Sequence, residues 1–222
     1  MVPSQIIGKF QGTIKYLAEA AENRLMVETD TETEVHHHRR RLLEGMAHAV
    51  AAKGYGDTTI ADIVREAGVS RRTFYEHFST KAQCLIALYE VASHNALKVL
   101  RDSIDPEHDW HIQIERALTA YFGRMAESPV LMRTLFVEIL GLGPEGLATR
   151  RRVNREIADF MLQVVNGQGG RKAGKPLSPD MAMAIVGGIN ELILQAIEQD
   201  RVAQLTELVA PGSRLVRAVT EG

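Results

Sequence analysis

The 222-residue sequence predicts an all-α protein built from a small N-terminal helical unit and a larger C-terminal helical domain. Apolar residues recur every three to four positions almost throughout, the spacing of one buried helix face. Residues that start and stop helices punctuate that pattern at regular intervals. Neither strand-like alternation nor an internal repeat competes with it. With 45% hydrophobic residues the chain can bury a substantial core, and 24% charged residues with a net charge of −2 are ordinary for a globular protein. That balance excludes a chain coated with basic charge, yet leaves room for a local basic face.

The first element expected is an amphipathic helix over roughly 4–26, with Ile7, Phe10, Ile14, Leu17, Ala18, Ala21 and Leu25 on one side. The acidic run from Glu28 to Glu34 has no apolar anchor and reads as a linker, so residues 1–35 form an N-terminal extension. A helix from about His38 to Lys53 follows, with Leu43, Met46, Ala47 and Val50 inward, stopped at Gly54-Tyr55-Gly56. Thr59 with Asp62 three residues on is a capping-box start for a helix ending at Gly68. Ser70 caps the next helix, which ends near Phe78, and Thr80 with Gln83 opens another reaching about Asp102.

Beyond Asp105-Pro106, helices are expected at about 109–126, 129–140, 144–166, 178–200 and 202–219. Two of them open with Ser-Pro, at Ser128-Pro129 and Ser178-Pro179, where proline at the first helical position loses no hydrogen bond. The stretch from Gly167 to Pro176 reads as a flexible basic loop, and Pro211-Gly212 as a break or kink in the last helix.

The segment from Ile60 to Phe78 carries the chemistry. A short helix buries Ile60, Ile63, Val64 and Ala67, Gly68 makes the turn, Val69 fills the corner, and Phe74 and Phe78 anchor the second helix. That is the build of a helix-turn-helix. Its outer face keeps Arg71, Arg72, Thr73, Tyr75, Glu76 and His77. Arginines at the start of such a helix read guanine edges, and a threonine methyl can meet the thymine methyl. Tyr75 and Lys81 suit phosphate anchors, as do the Thr59 hydroxyl and the helix N-terminus behind it. Between His36 and Lys81 eight basic residues (Arg39, Arg40, Arg41, Lys53, Arg65, Arg71, Arg72, Lys81) face five acids (Glu44, Asp57, Asp62, Glu66, Glu76), so this unit is locally basic. The candidate DNA-binding residues are Thr59, Ser70, Arg71, Arg72, Thr73, Tyr75, His77 and Lys81.

From about Arg41 to Leu88 the sequence resembles the TetR-type (tetracycline-repressor) regulators. The resemblance rests on Gly54-Tyr55, Thr59 to Ile63, Ala67 to Ser70, Thr73 to Phe78 and Lys81. Val64 stands where the family usually has alanine, and Ala82-Gln83 where an acid commonly follows the lysine. The resemblance implies an N-terminal three-helix DNA-binding domain at 36–82 and a helical ligand-binding and dimerisation domain at 83–222. It implies a homodimer on a palindromic double-stranded DNA operator, held by the last two long helices, and a largely apolar small-molecule inducer that releases a repressor.

Those two helices carry Met181, Ile185, Val186, Ile189, Leu192, Ile193 and Ile197, then Leu205, Leu208, Val209, Leu215 and Val219, with Gly187-Gly188 suited to close approach across a two-fold. Candidate ligand residues are Tyr121, Phe122, Met125, Met132, Phe136, Phe160, Met161, Asn190 and Glu191. The run Arg150-Arg151-Arg152 with Arg155 reads as a solvated face.

An alternative reading is an activator, or a ligand-independent regulator controlled by a protein partner through the N-terminal helix. Catalysis is not expected: the sequence has no phosphate loop, nucleophile elbow or paired-carboxylate site, and no cofactor is implied. His36-His37-His38 point about 100° apart on a helix and cannot converge on one metal. A lone cysteine, Cys84, excludes an intrachain disulfide and sits in an apolar stretch as packing. No signal-peptide pattern and no run of about 20 apolar residues is evident, so a cytoplasmic chain is expected.

Overall fold

The computed structural model describes residues 30–167 and 176–221, which are helical apart from short connections. The elements are α1 (Asp30–Asp57), α2 (Ile60–Ala67), α3 (Arg71–His77), α4 (Lys81–Asp102), α5 (Trp110–Ala126), α6 (Pro129–Arg133), a π-helical turn (Thr134–Glu138), α7 (Ile139–Gly141), α8 (Gly143–Asn166), α9 (Pro179–Glu198), a 3-10 segment (Val202–Leu208) and α10 (Val209–Thr220). The amphipathic stripe expected over 4–26 and most of the basic loop after Gly167 lie outside the described residues.

Packing divides the chain into two compact units. Of the described residues, one holds those up to Asn95 together with Val130–Leu147, and the other Ala96–Pro129 with those from Ala148 onward. This partition differs from the motif-based 36–82 and 83–222. The boundary falls inside α4, because a helix of 22 residues is too long for one small core.

In the first unit α1 is already helical at Asp30, the first described residue, eight residues before the expected start and inside the expected linker. The run from Asp30 to His37 has Val35, exposed, as its one apolar residue, yet it lacks Gly and Pro, and extending an existing helix is far easier than nucleating one. The helix stops where expected, at Gly54 (φ 80°, ψ 161°), a backbone that disfavours any side chain. Leu42, Leu43, Met46, Ala47 and Val50 are buried on α1, against Ile63, Val64 and Ala67 of α2. Gly45 permits the close crossing: a Cβ there would lie 2.6 Å from the Ile63 carbonyl oxygen and 2.8 Å from the Ala67 nitrogen.

Phe74, fully buried, and Phe78 hold α3 in place. Cys84 is fully buried with its Sγ 3.9 Å from the Leu42 carbonyl oxygen, and burial pushes its thiol pKa up, so it remains an inert thiol. The π-helical turn, unsignalled in the sequence, packs against α1.

In the second unit α5 lies against the 3-10 segment and α10, and α9 packs on both of the latter. Ser178 Oγ accepts the Met181 N–H at 3.3 Å with Pro179 opening α9, as the Ser-Pro signal predicts. Pro211 does not break the last helix. It sits in the first turn of α10, where its missing N–H has no intrahelical partner to lose. The irregularity lies earlier, in the 3-10 segment, where Gln204 leaves helical geometry.

By length and composition α9 is apolar enough to cross a membrane, contrary to the expectation that no segment would be. Its Ile185, Val186, Ile189, Ile193 and Ile197 are instead buried in the packing of this unit.

Candidate nucleic-acid interface and ligand cavity

The helix-turn-helix is set by local chemistry. Thr59 and Asp62 form a reciprocal capping box: Thr59 Oγ1 accepts the Asp62 N–H at 3.2 Å, and Asp62 Oδ2 accepts the Thr59 N–H at 2.9 Å and the Thr59 hydroxyl at 2.6 Å. Asp62 also holds Lys53 Nζ at 2.5 Å and an Arg65 guanidinium nitrogen at 3.1 Å. Hydrogen bonds from Lys53 and then Thr59 hold its carboxyl well below the usual carboxylate range.

Gly68 closes α2 in the left-handed region (φ 61°, ψ 37°). Its carbonyl accepts an Arg41 guanidinium N–H at 2.9 Å, which ties the turn to α1. Ser70 Oγ then accepts the Thr73 N–H at 3.0 Å and shares a hydrogen bond with the Thr73 hydroxyl at 2.8 Å.

The structure brings Ser70, Arg71, Arg72, Thr73, Tyr75 and His77 onto one short helix and its cap. Arg71 and Arg72 are exposed at its start, and Tyr75 is 54% exposed. Arg72 Nε meets Glu76 Oε1 at 3.1 Å in a solvent-facing pair, a weak contact that an incoming base or phosphate can displace. His77 is half-buried. Burial, then the charges of His38 and Arg39, lower its pKa, so near neutral pH it offers a neutral imidazole.

Two expected phosphate anchors are placed otherwise. The Lys81 ammonium donates to the carbonyls of Tyr55 (2.7 Å), Thr58 (2.7 Å) and, more weakly, Gly56 (3.4 Å), and stands 4.1 Å from the Tyr55 ring centroid. Its three N–H groups thus cap the end of α1, whose last carbonyls have no helical partner. The Thr59 hydroxyl gives its proton to Asp62, which leaves the backbone N–H groups at the start of α2 as the donors there. Much of the local basic charge is likewise structural: Arg39 lies over the Phe78 ring, Arg41 on Gly68, and Lys53 and Arg65 on Asp62. Arg71 and Arg72 carry the outward charge on α3. Apart from Arg65 with Asp62, which share α2, these braces join residues whose approach depends on how the helices cross, so the sequence does not signal them.

The second unit holds a cavity of about 90 Å³. Leu100 and Ile104 line it from α4 and the residues after it, Trp110, Ile114 and Tyr121 from α5, Ile157, Phe160 and Met161 from α8, and Ile189 and Asn190 from α9. Of the nine ligand candidates, Tyr121, Phe160, Met161 and Asn190 meet there. Phe122 and Met125 are buried packing on α5 outside the lining, and Glu191 faces solvent. Met132 and Phe136 belong to the first unit, where the chain between 130 and 147 packs. The lining on α5 follows a plain helical stripe, a signal no different from that of ordinary core.

Asn190 Nδ2 donates to Asn154 Oδ1 at 3.1 Å. Gly188 serves packing within this chain, because a Cβ there would lie 2.9 Å from Leu215 Cδ2, whereas Gly187 has open space. Among the described residues no group of three His, Cys, Asp or Glu is arranged to hold a metal.

Residues 42–88 match the family described as bacterial regulatory proteins, tetR family. Residues 42–88 are thus a segment of the TetR-family type. The HTH-type transcriptional regulator SrpR of Pseudomonas putida is 27% identical over 139 residues, which is 61% of either chain. The fold is shared with a fatty acid degradation regulator FadR from Bacillus halodurans (TM-score 0.67, 19% identity), over 79% of this chain and 96% of that one. It is shared with a FadR from Bacillus subtilis in complex with stearoyl-CoA at a TM-score of 0.66 and 15% identity, over the same fractions. The TetR-family match covers α1 from Leu42 onward, α2, α3 and the start of α4, the segment whose caps and turn are described above; the cavity lies outside it.

Proposed function

We propose that this chain is a TetR-family, sequence-specific DNA-binding repressor, active as a homodimer and released from its operator by a small, largely apolar ligand. The observation that carries this reading is α3: a helix capped at Ser70, anchored by buried Phe74, and bearing Arg71, Arg72 and Tyr75 toward solvent. In a homodimer two such helices enter successive major grooves about 34 Å apart. Arg71 and Arg72 supply base readout. Tyr75 and the N–H groups opening α2 take phosphates, and Lys81 keeps α1 and α4 in register beneath them.

The dimer face is assigned to α9 and α10, where Met181 is 45% exposed and Leu192, Leu215 and Val219 are only half-buried. The ligand site is assigned to the cavity. α4 runs unbroken from Lys81 to Leu100, a cavity wall, so a ligand that favours a shifted α4 changes the spacing of the recognition helices. Loss of repression requires a preference for the mis-spaced state of several kcal/mol. No catalytic role is assigned, and the protein is assigned to the cytoplasm, where its operator lies.

The test is selection of bound sequences from random duplex DNA by the full-length protein, with affinity then measured against salt. A palindromic consensus with half-sites one helical turn or a multiple apart supports the reading. Weak, steeply salt-dependent binding without enrichment refutes it.

A further inference from the structure

The identity of the ligand class follows from what surrounds the cavity, and it rests on the cavity being the effector site. No charged side chain lines it. An anion enclosed there without a partner would be strongly disfavoured, so a charged ligand must keep its charge at the edge. Two polar features break the apolar pattern. Asn190 is 6% exposed and lines the cavity, and Asn154 is its one side-chain partner among the described residues. Whichever way the amide is turned, one of its two polar atoms is left for an occupant.

The second feature is Arg101, next to Leu100 on α4. Its guanidinium carbon lies 5.7 Å from the centroid of the Phe160 ring, itself a wall of the cavity. Stacking leaves the N–H edge of a guanidinium free to grip an anion. The acids nearest to it in sequence are engaged: Asp102 by Lys98 at 2.6 Å, and Asp105 by His108 at 2.8 Å. Among the described residues no carboxylate pairs with Arg101.

We infer that the ligand is an amphipathic anion. Its apolar chain lies against α5 and α8, an uncharged oxygen meets Asn190, and its carboxylate or phosphate is held by Arg101 at the rim. A hydroxylated free acid and a phosphate-bearing acyl thioester share this chemistry.

Trp110 is the one tryptophan of the sequence and lines the cavity, so its emission reports occupancy of the full-length protein directly. Decanoate, 1-decanol, decylamine, 10-hydroxydecanoate and decanoyl-coenzyme A are titrated into wild type, Arg101→Gln, Arg101→Lys and Asn190→Leu. Decanoate or its thioester is expected to bind about ten-fold or more tighter than decanol and decylamine. Arg101→Gln should remove that gap without weakening decanol, and Arg101→Lys should restore part of it. Asn190→Leu should weaken the hydroxylated acid relative to decanoate. A thioester preferred over decanoate identifies the anion as phosphate, and the reverse order identifies it as carboxylate. Equal binding of acid, alcohol and amine, or equal loss of all three in Arg101→Gln, overturns the inference and leaves the cavity as an effector site. No change in Trp110 emission with any of the five overturns the effector-site reading itself.

Discussion

Gly45→Ala is the sharpest test of how the DNA-binding unit is held together. Alanine in place of glycine inside an exposed helix stabilises it by about 1 kcal/mol. At Gly45 the added Cβ would stand 2.6 Å from the Ile63 carbonyl oxygen and 2.8 Å from the Ala67 nitrogen, where ordinary contact begins at 3.4 Å. The neighbours are backbone atoms of α2, so relief requires α1 and α2 to part by some tenths of an ångström. Overpacking costs about 1–3 kcal/mol, and contacts this short with backbone place Gly45 in the upper part of that range, about 2–3 kcal/mol, so that after the propensity gain a net loss of about 1–2 kcal/mol remains. For a chain of this size that is a fall in Tm of about 2–8 °C. Operator affinity should fall further than the folded fraction explains, because α2 carries α3 with it. Gly123→Ala on α5, where a Cβ meets nothing within 4 Å, is the control and should raise Tm slightly. Thermal unfolding of both variants beside wild type decides the matter. If the two glycines give the same stabilisation, the close α1–α2 crossing is not real.

Other changes address the site. Arg72→Ala should cost about 1–3 kcal/mol of operator binding and relax preference at one base pair, read by repeating the selection; an equal loss on every sequence reassigns Arg72 to a phosphate. Lys81→Met should lower Tm while leaving the selected consensus unchanged, since Lys81 caps α1; an altered salt slope at unchanged Tm would restore it as a phosphate contact. Asp62 has a folded-state pKa below its unfolded value, so its stabilisation is present above about pH 4 and fades as pH falls below that. Asp62→Asn should therefore lower the urea midpoint at pH 7 and approach wild type at the acid end, whereas a deficit independent of pH would assign Asp62 to packing alone.

The sequence by itself determined what is settled within a few residues. Thr59 with Asp62, Ser70 with Thr73, and Ser178-Pro179 mark helix starts because a side-chain oxygen three residues away meets an orphan N–H whatever the rest of the chain does. Gly54 and Gly68 mark stops because their backbone angles disfavour a Cβ. The helical class, the helix-turn-helix and the outward arginines of α3 were legible for that reason.

Tertiary structure alone decided which side chains meet across elements. Lys81 and Arg41 each lie more than twenty residues from the carbonyls they hold, so composition could not separate them from DNA-facing cations. Phe160 and Met161 reach the cavity while Met132 and Phe136 do not, though all four look alike on a helical stripe. Hydrophobic burial is non-directional, so apolar periodicity says that a face is covered and not by what.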